Sequence, residues 1–126
     1  MNRRIVSTNK APQAIGPYSQ GVIAGEMVYT SGQLGMDPLT MELGKTVEEQ
    51  AHQACKNLIA ILEEAGSCIE NVVKTTVFLD DINDFVAVNE VYAQYFKEPF
   101  PARSAIEVAN LPKAAKVEIE AIAILK

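Results

Sequence analysis

Pro101-Ala102-Arg103-Ser104-Ala105-Ile106-Glu107-Val108, followed by Lys116-Val117-Glu118-Ile119-Glu120-Ala121-Ile122, decides the fold of this chain. Both segments alternate as strands do, yet each sets charge on a face where a strand normally carries apolar side chains. In the second, Val117, Ile119, Ala121, Ala123 and Leu125 share one face, while the other carries Glu118 and Glu120 together with Ile122 and Ile124. A solvated face has no use for the isoleucines, and a simple core has no use for the carboxylates. A sheet covered on both sides, with a polar pocket at one end of the second face, satisfies both. That pocket is where a small ligand would sit.

Working outward, Val72 to Leu79 is a β-branched strand, and Asp80-Asp81 leads into a helix with Phe85, Val88, Tyr92 and Phe96 along one face. Pro99 and Pro101 end that region. An earlier helix opens on Thr46-Val47-Glu48-Glu49, a capping box in which hydroxyl and carboxylate satisfy free amides reciprocally. Its apolar stripe is Val47, Ala51, Ala54, Cys55, Leu58, Ile61, Leu62 and Ala65, and Gly66 stops it. Near the start, Arg4-Ile5-Val6-Ser7 is a short strand. Ala11 to Ser19 is turn-rich, so Tyr18 emerges from a loop. Gln20 to Ala24 and Met27 to Ser31 form a hairpin around Ala24-Gly25-Glu26, and Gly32 to Gly44 reads as a loop. The resulting order is three strands, helix, strand, helix, two strands: an α/β (α+β) sandwich in a single domain over 1–126, with both helices on one face of the sheet. No element remains to bury the other face. A homo-oligomer is therefore expected, with a site at the subunit boundary.

Composition narrows the function classes. The chain has 126 residues, 48% of them hydrophobic, and a net charge of −5. Phosphate backbones need a basic stripe, which is absent, so nucleic acid is not the expected partner. No apolar run approaches the ~20 residues that span a bilayer, and the N-terminus carries no signal-peptide core. Two cysteines, Cys55 and Cys68, make no disulfide framework, which fits a cytoplasmic protein with reduced thiols.

The sole histidine, His52, lies between Gln50 and Gln53 off the apolar stripe and reads as a solvated surface residue. It has no Cys or Asp partner at metal-ligand spacing, so no metal is expected, and it is poorly placed to activate Ser31 or Ser104. Gly32-Gln33-Leu34-Gly35 lacks the helix and lysine of a phosphate loop. Cys68, in a turn after Gly66, reads as a structural thiol. What remains is Arg103 with Glu118 or Glu120. They form either a buried or interface ion pair, or a carboxylate clamp with a glutamate that positions or deprotonates water. Tyr18 is either a packing residue or a pocket wall offering a hydroxyl.

Ala14-Ile15-Gly16-Pro17-Tyr18-Ser19-Gln20, Thr30-Ser31-Gly32-Gln33, Asn71 to Leu79 and Asp81-Ile82-Asn83-Asp84-Phe85 resemble the RidA/YjgF family. So do Asn89-Glu90-Val91-Tyr92, Phe100-Pro101-Ala102-Arg103-Ser104 and Val117 to Ala123, in order and over nearly the full length. The resemblance implies chorismate-mutase-like subunits, each a six-stranded mixed sheet with two helices on one face. It also implies a homotrimer with a central barrel and a cleft between each pair of neighbours. The implied activity is that of an enamine/imine deaminase without cofactor. It would convert 2-aminoacrylate and 2-aminocrotonate, through their 2-imino acids, to 2-keto acids and ammonia. By position, Arg103 would clamp the substrate carboxylate and Glu118 would orient the attacking water. Tyr18, Ser31, Gly32 and Asn89 would line the cleft, with Glu120 as a neighbouring carboxylate. Many members carry Cys where this chain has Ala105, which removes a thiol from the pocket. Two other functions stand beside this one: an endoribonuclease or translation inhibitor, a label some relatives carry, and a ligand-binding or chaperone-like module without turnover.

Overall fold

Val117–Ile124, the last strand, has Val117, Ile119, Ala121 and Ala123 almost wholly buried, and the rest of the sheet is laid out around it. The computed structural model describes residues 3–126. Its elements are β1 (Arg3–Val6), β2 (Gly21–Ala24), β3 (Met27–Thr30), β4 (Gln33–Leu34), α1 (Val47–Glu64), β5 (Val72–Leu79), α2 (Phe85–Tyr95), β6 (Ala102–Glu107) and β7 (Val117–Ile124). The sheet runs β1-β2-β3-β7-β5-β6, with β4 also paired to β7. All pairs are antiparallel except β5 with β6, which α2 joins as a crossover. The mixed sheet with two helices is as expected, but it has seven strands, not six. The additional strand, β4, lies within the stretch read as a loop. It is two residues long and exists through its long-range register with β7, so no local periodicity announces it.

Both ends of α1 are built as its sequence dictates. Thr46 Oγ accepts from Glu49 N at 3.1 Å, while the Glu49 carboxylate accepts from Lys45 N at 2.9 Å, one residue before the position a capping box usually serves. At the other end Ser67 N donates to Leu62 O and Gly66 N to Glu63 O, with Gly66 at φ +87°, a Schellman closure. The stripe facing the sheet is buried as expected, and burial pushes the Cys55 thiol up to about 12, leaving it inert. Two polar residues, Gln50 and Asn57, are buried beside the stripe. Asn57 Nδ2 donates to Leu34 O and Met36 O, and Gln50 bridges Gly44 O and Lys116 N. They supply the backbone partners that a buried irregular segment requires, and so hold β4 and its flanks against the helix.

His52 is not a solvated residue. It is half-buried, with Nδ1 2.9 Å from the Tyr95 hydroxyl and the rings edge to face, linking α1 to α2. Only the packing of α2 beside α1 brings that hydroxyl within reach. On α2, Val88, Val91 and Tyr92 are buried; Phe96, just past the helix end, is buried and stacked on Tyr92.

Residues that neighbour each other across a sheet share a face. The face away from the helices therefore carries Ile5, Tyr29, Ile106 and Ile124, all substantially exposed, with Val22, Phe78 and Ile122 half-buried among them. Glu118 and Glu120 stand on this same open face, in register with Phe78 and Thr76. Among the described residues no helix is long and apolar enough to cross a membrane.

Candidate functional site

Four of the expected site residues meet in one pocket. A cavity of about 570 Å³ is lined by Tyr18, Gln20, Ser31, Gly32, Leu34 and Glu118, among others. Tyr18 arrives on the loop before β2, Ser31 and Gly32 form the link between β3 and β4, and Glu118 projects from β7. Buried Gln20 fixes the loop. Its Oε1 accepts from Thr8 N at 2.7 Å, and its Nε2 donates to Thr8 O, Ala11 O and Pro12 O. Ser31 is held as firmly: its N–H and hydroxyl both donate to Gln20 O, and Gln33 Nε2 donates to its Oγ at 3.1 Å. A hydroxyl whose proton is engaged by a carbonyl is no activated nucleophile. Ser31 presents an acceptor to the pocket.

Gly32 explains how close Glu118 lies. A Cβ at position 32 would collide with the terminal carboxyl of Glu118, so only glycine lets that carboxyl rest against the backbone. The Glu118 pKa is raised, first by burial and second by the Glu120 charge on the same face. A half-buried carboxyl of this kind keeps its proton to higher pH than an exposed one, and a carboxyl can both take and give a proton in such a pocket.

Arg103 lies elsewhere. It stands in register with Thr75, whose buried side chain points into the helical layer and meets the Tyr92 hydroxyl at 2.8 Å. Arg103 therefore shares the helix face, opposite to Glu118 and Glu120. Its Nη1 donates to Asn89 Oδ1 at 2.7 Å, and its guanidinium carbon lies 4.9 Å from the Tyr92 ring centre and 5.3 Å from that of Phe85. An ion pair of Arg103 with Glu118 or Glu120 inside one chain is thus not formed. Among the described residues the guanidinium's hydrogen bond goes to a neutral amide, leaving most of its donors free.

Tyr18, Ser31, Gly32 and Glu118 thus form one half-site, and Arg103 with Asn89 a second, on opposite faces of the sheet. The sequence does not mark Phe85 and Tyr92 as site residues. With Asn89 they recur at i, i+4 and i+7, the spacing of one helix face, but that pattern also describes an ordinary core stripe. Among the described residues no group of three His, Cys, Asp or Glu side chains is placed to hold a metal ion.

The mixed sheet with its two helices is shared with the solved structures of a known family. The family model described as endoribonuclease L-PSP matches residues 8–125. A human 2-iminobutanoate/2-iminopropanoate deaminase is 58% identical over 97% of this chain and 90% of its own length. Among solved structures, RidA from the Antarctic bacterium Psychrobacter is 49% identical with a TM-score of 0.94, covering 97% of this chain and 99% of that one. E. coli TdcF, solved with bound serine, is 48% identical with a TM-score of 0.93, covering 98% and 99%. The chain belongs to this family, the RidA/YjgF family.

Proposed function

We propose that the protein is a 2-iminobutanoate/2-iminopropanoate deaminase that works as a homotrimer, each active site combining the pocket of one subunit with Arg103 and Asn89 of its neighbour. The observation that carries this reading is the state of Arg103: exposed on β6, laid against α2, and bonded among the described residues to a neutral amide. Such a guanidinium is ready to take a carboxylate in bidentate fashion. The identity to a relative named for this activity supports the substrate class. The apolar open face of the sheet supports the assembly, since three such faces closing a central barrel would bury Ile5, Tyr29, Ile106 and Ile124.

In the proposed reaction Arg103 holds the carboxylate of a 2-imino acid, formed by tautomerisation of 2-aminoacrylate or 2-aminocrotonate. Glu118 accepts a proton as water adds to the imine carbon. That proton passes to nitrogen, the carbon–nitrogen bond breaks, and the new hydroxyl gives up its proton to become the keto oxygen as ammonia leaves. A protonated imine is already electrophilic, so orientation and a general base worth roughly 10²–10⁴-fold suffice. The residues supply every group the steps use, and none calls for a cofactor. Ala105 leaves the cleft without the thiol common in relatives, which this chemistry does not need. The free Cys55 and Cys68 agree with a cytoplasmic setting. The ribonuclease in the family's description finds no support in the charge of −5, and the sole histidine is bonded to Tyr95 in the helical layer.

The test is keto-acid release from both enamines, generated in situ by a dehydratase, with wild type and Arg103→Ala compared. Acceleration by wild type alone is expected. Equal acceleration by Arg103→Ala would refute the clamp, and none by either protein would leave a binding module.

A further inference from the structure

The position of Arg103 is set by something other than its own strand. β6 is an edge strand whose residues are exposed or half-buried, so the strand offers the side chain little packing of its own. A long, rotamer-rich arginine there should sample many positions and lose entropy on binding a carboxylate. Instead it lies over two rings of α2 while donating to Asn89 between them. Tyr92 is itself immobilised on three sides. Phe96 stacks on it with ring centres 4.2 Å apart, Thr75 Oγ1 meets its hydroxyl at 2.8 Å, and the guanidinium lies over its ring. Thr75 and Phe96 are almost fully buried, so the chain Thr75–Tyr92–Arg103 runs from the core to the exposed clamp.

We infer that Tyr92, locked by Thr75 and Phe96, and Phe85 are positioning residues that pre-set the Arg103 guanidinium for an incoming carboxylate. The rings of Tyr92 and Phe85 lie 4.9 and 5.3 Å from its central carbon, and Asn89 takes one of its N–H groups. This rests on the clamp reading of Arg103, but one of its readouts does not. A guanidinium over aromatic rings is a good match because it is planar and weakly hydrated, and a pre-ordered arginine spares the substrate the cost of ordering it.

The test uses Tyr92→Leu, Phe85→Leu, Tyr92→Phe and Thr75→Val in the full chain, with the Arg103 Nε–Hε signal observed by NMR and assigned through its loss in Arg103→Lys. In wild type that signal should be ring-current shifted and rigid. Phe85 is only half-buried, so Phe85→Leu keeps the fold even if a Tyr92 variant does not. Tyr92→Leu and Phe85→Leu should average the signal and raise the apparent KM for the imino acid roughly 3- to 30-fold, with kcat within about twofold, the span between an exposed and a desolvated cation–π contact. Tyr92→Phe keeps the ring and should stay within about threefold, and Thr75→Val should fall between. Should wild type show no turnover, the deaminase reading fails while the NMR signal still decides this inference. A folded Phe85→Leu or Tyr92→Leu with an unchanged Arg103 signal and unchanged KM overturns it.

Discussion

Two glycines, three residues apart, should respond to the same substitution in opposite ways. At Gly32 the atoms nearest an added Cβ are the end of the Glu118 side chain; at Gly35 it would run into the Cα, carbonyl carbon and oxygen of Gln50 in α1. Neither glycine has a positive φ, so backbone strain is not at issue. In Gly32→Ala the Glu118 carboxyl is the end of a flexible side chain and can swing aside. The unfolded chain loses some freedom, worth ~0.4–1 kcal/mol in favour of the variant, against ~1–3 kcal/mol for overpacking. Because Glu118 can yield, the overpacking cost should sit at the low end, and the net change should be about 1 kcal/mol or less, roughly 3–5 °C in Tm. Activity is another matter. A base moved by about 1 Å costs on the order of 10²-fold in rate, so Gly32→Ala should be a stable, folded protein with about one per cent of the kcat. In Gly35→Ala the obstacle is helix backbone, which cannot move without unseating α1. That variant should lose at least ~3 kcal/mol and fail in expression or melt early.

Thermal melts and keto-acid release on the two variants side by side decide the matter. A Gly32→Ala protein with wild-type kcat would show that the Glu118 carboxyl need not rest on the 32 backbone, and the argument for its position would fall. Adding Glu118→Ala to Gly32→Ala removes the collision partner. Stability should then recover relative to the single variant, while activity stays lost.

The titration of Glu118 gives a second prediction. Its pKa is raised in the folded state, by burial first and Glu120 second, so the folded state holds a proton the unfolded state has released. Stability should therefore fall as pH rises from the ordinary carboxyl range through the raised value, and Glu118→Gln should abolish that slope in pH-dependent melts. The acid limb of kcat/KM should lie above the usual carboxylate range, and Glu120→Gln should move it downward by removing the like charge. Gln20→Leu strips partners from the buried Ala11 carbonyl and from half-buried backbone at Thr8 and Pro12; a buried orphan costs ~1–3 kcal/mol and groups that water still reaches cost less, so a loss of ~2–4 kcal/mol by chemical denaturation is expected. Tyr29→Glu places a charge on the apolar open face; sedimentation equilibrium should find trimers for wild type and monomers for the variant, and a trimeric variant would move the interface elsewhere.

The sequence discloses most where one residue's environment is set by its near neighbours. The ends of α1, the eight residues of β5 and the alternation of β7 all stand where periodicity and capping place them. It discloses least where partners are distant: β4 depends on β7, Gln50 and Asn57 are buried to serve a loop, and His52 is covered by a tyrosine from the other helix. Arg103 and Glu118 fall between these cases. Both were legible as candidates because they break the apolar pattern of their strands, but a pattern along one strand cannot say which face of the sheet a neighbour shares. That depends on register, and the register puts Thr75 beside Arg103 and Phe78 beside Glu118, one residue of parity apart in the wrong sense for a shared site. A slip of one position would bring both charges to one face and expose the β7 core, so the core alignment itself forces the separation. A single chain built on this register cannot bring its own clamp to its own base. If both act on one substrate they must come from different subunits, and a catalytically dead Arg103→Ala chain mixed with a dead Glu118→Ala chain should then regain activity. In a randomly mixed trimer each boundary that pairs one intact pocket with one intact arginine is a working site, so about a quarter of wild-type activity should return. Absence of any rescue, with mixed trimers shown to form, would place both residues in the same site of the same chain and contradict the register.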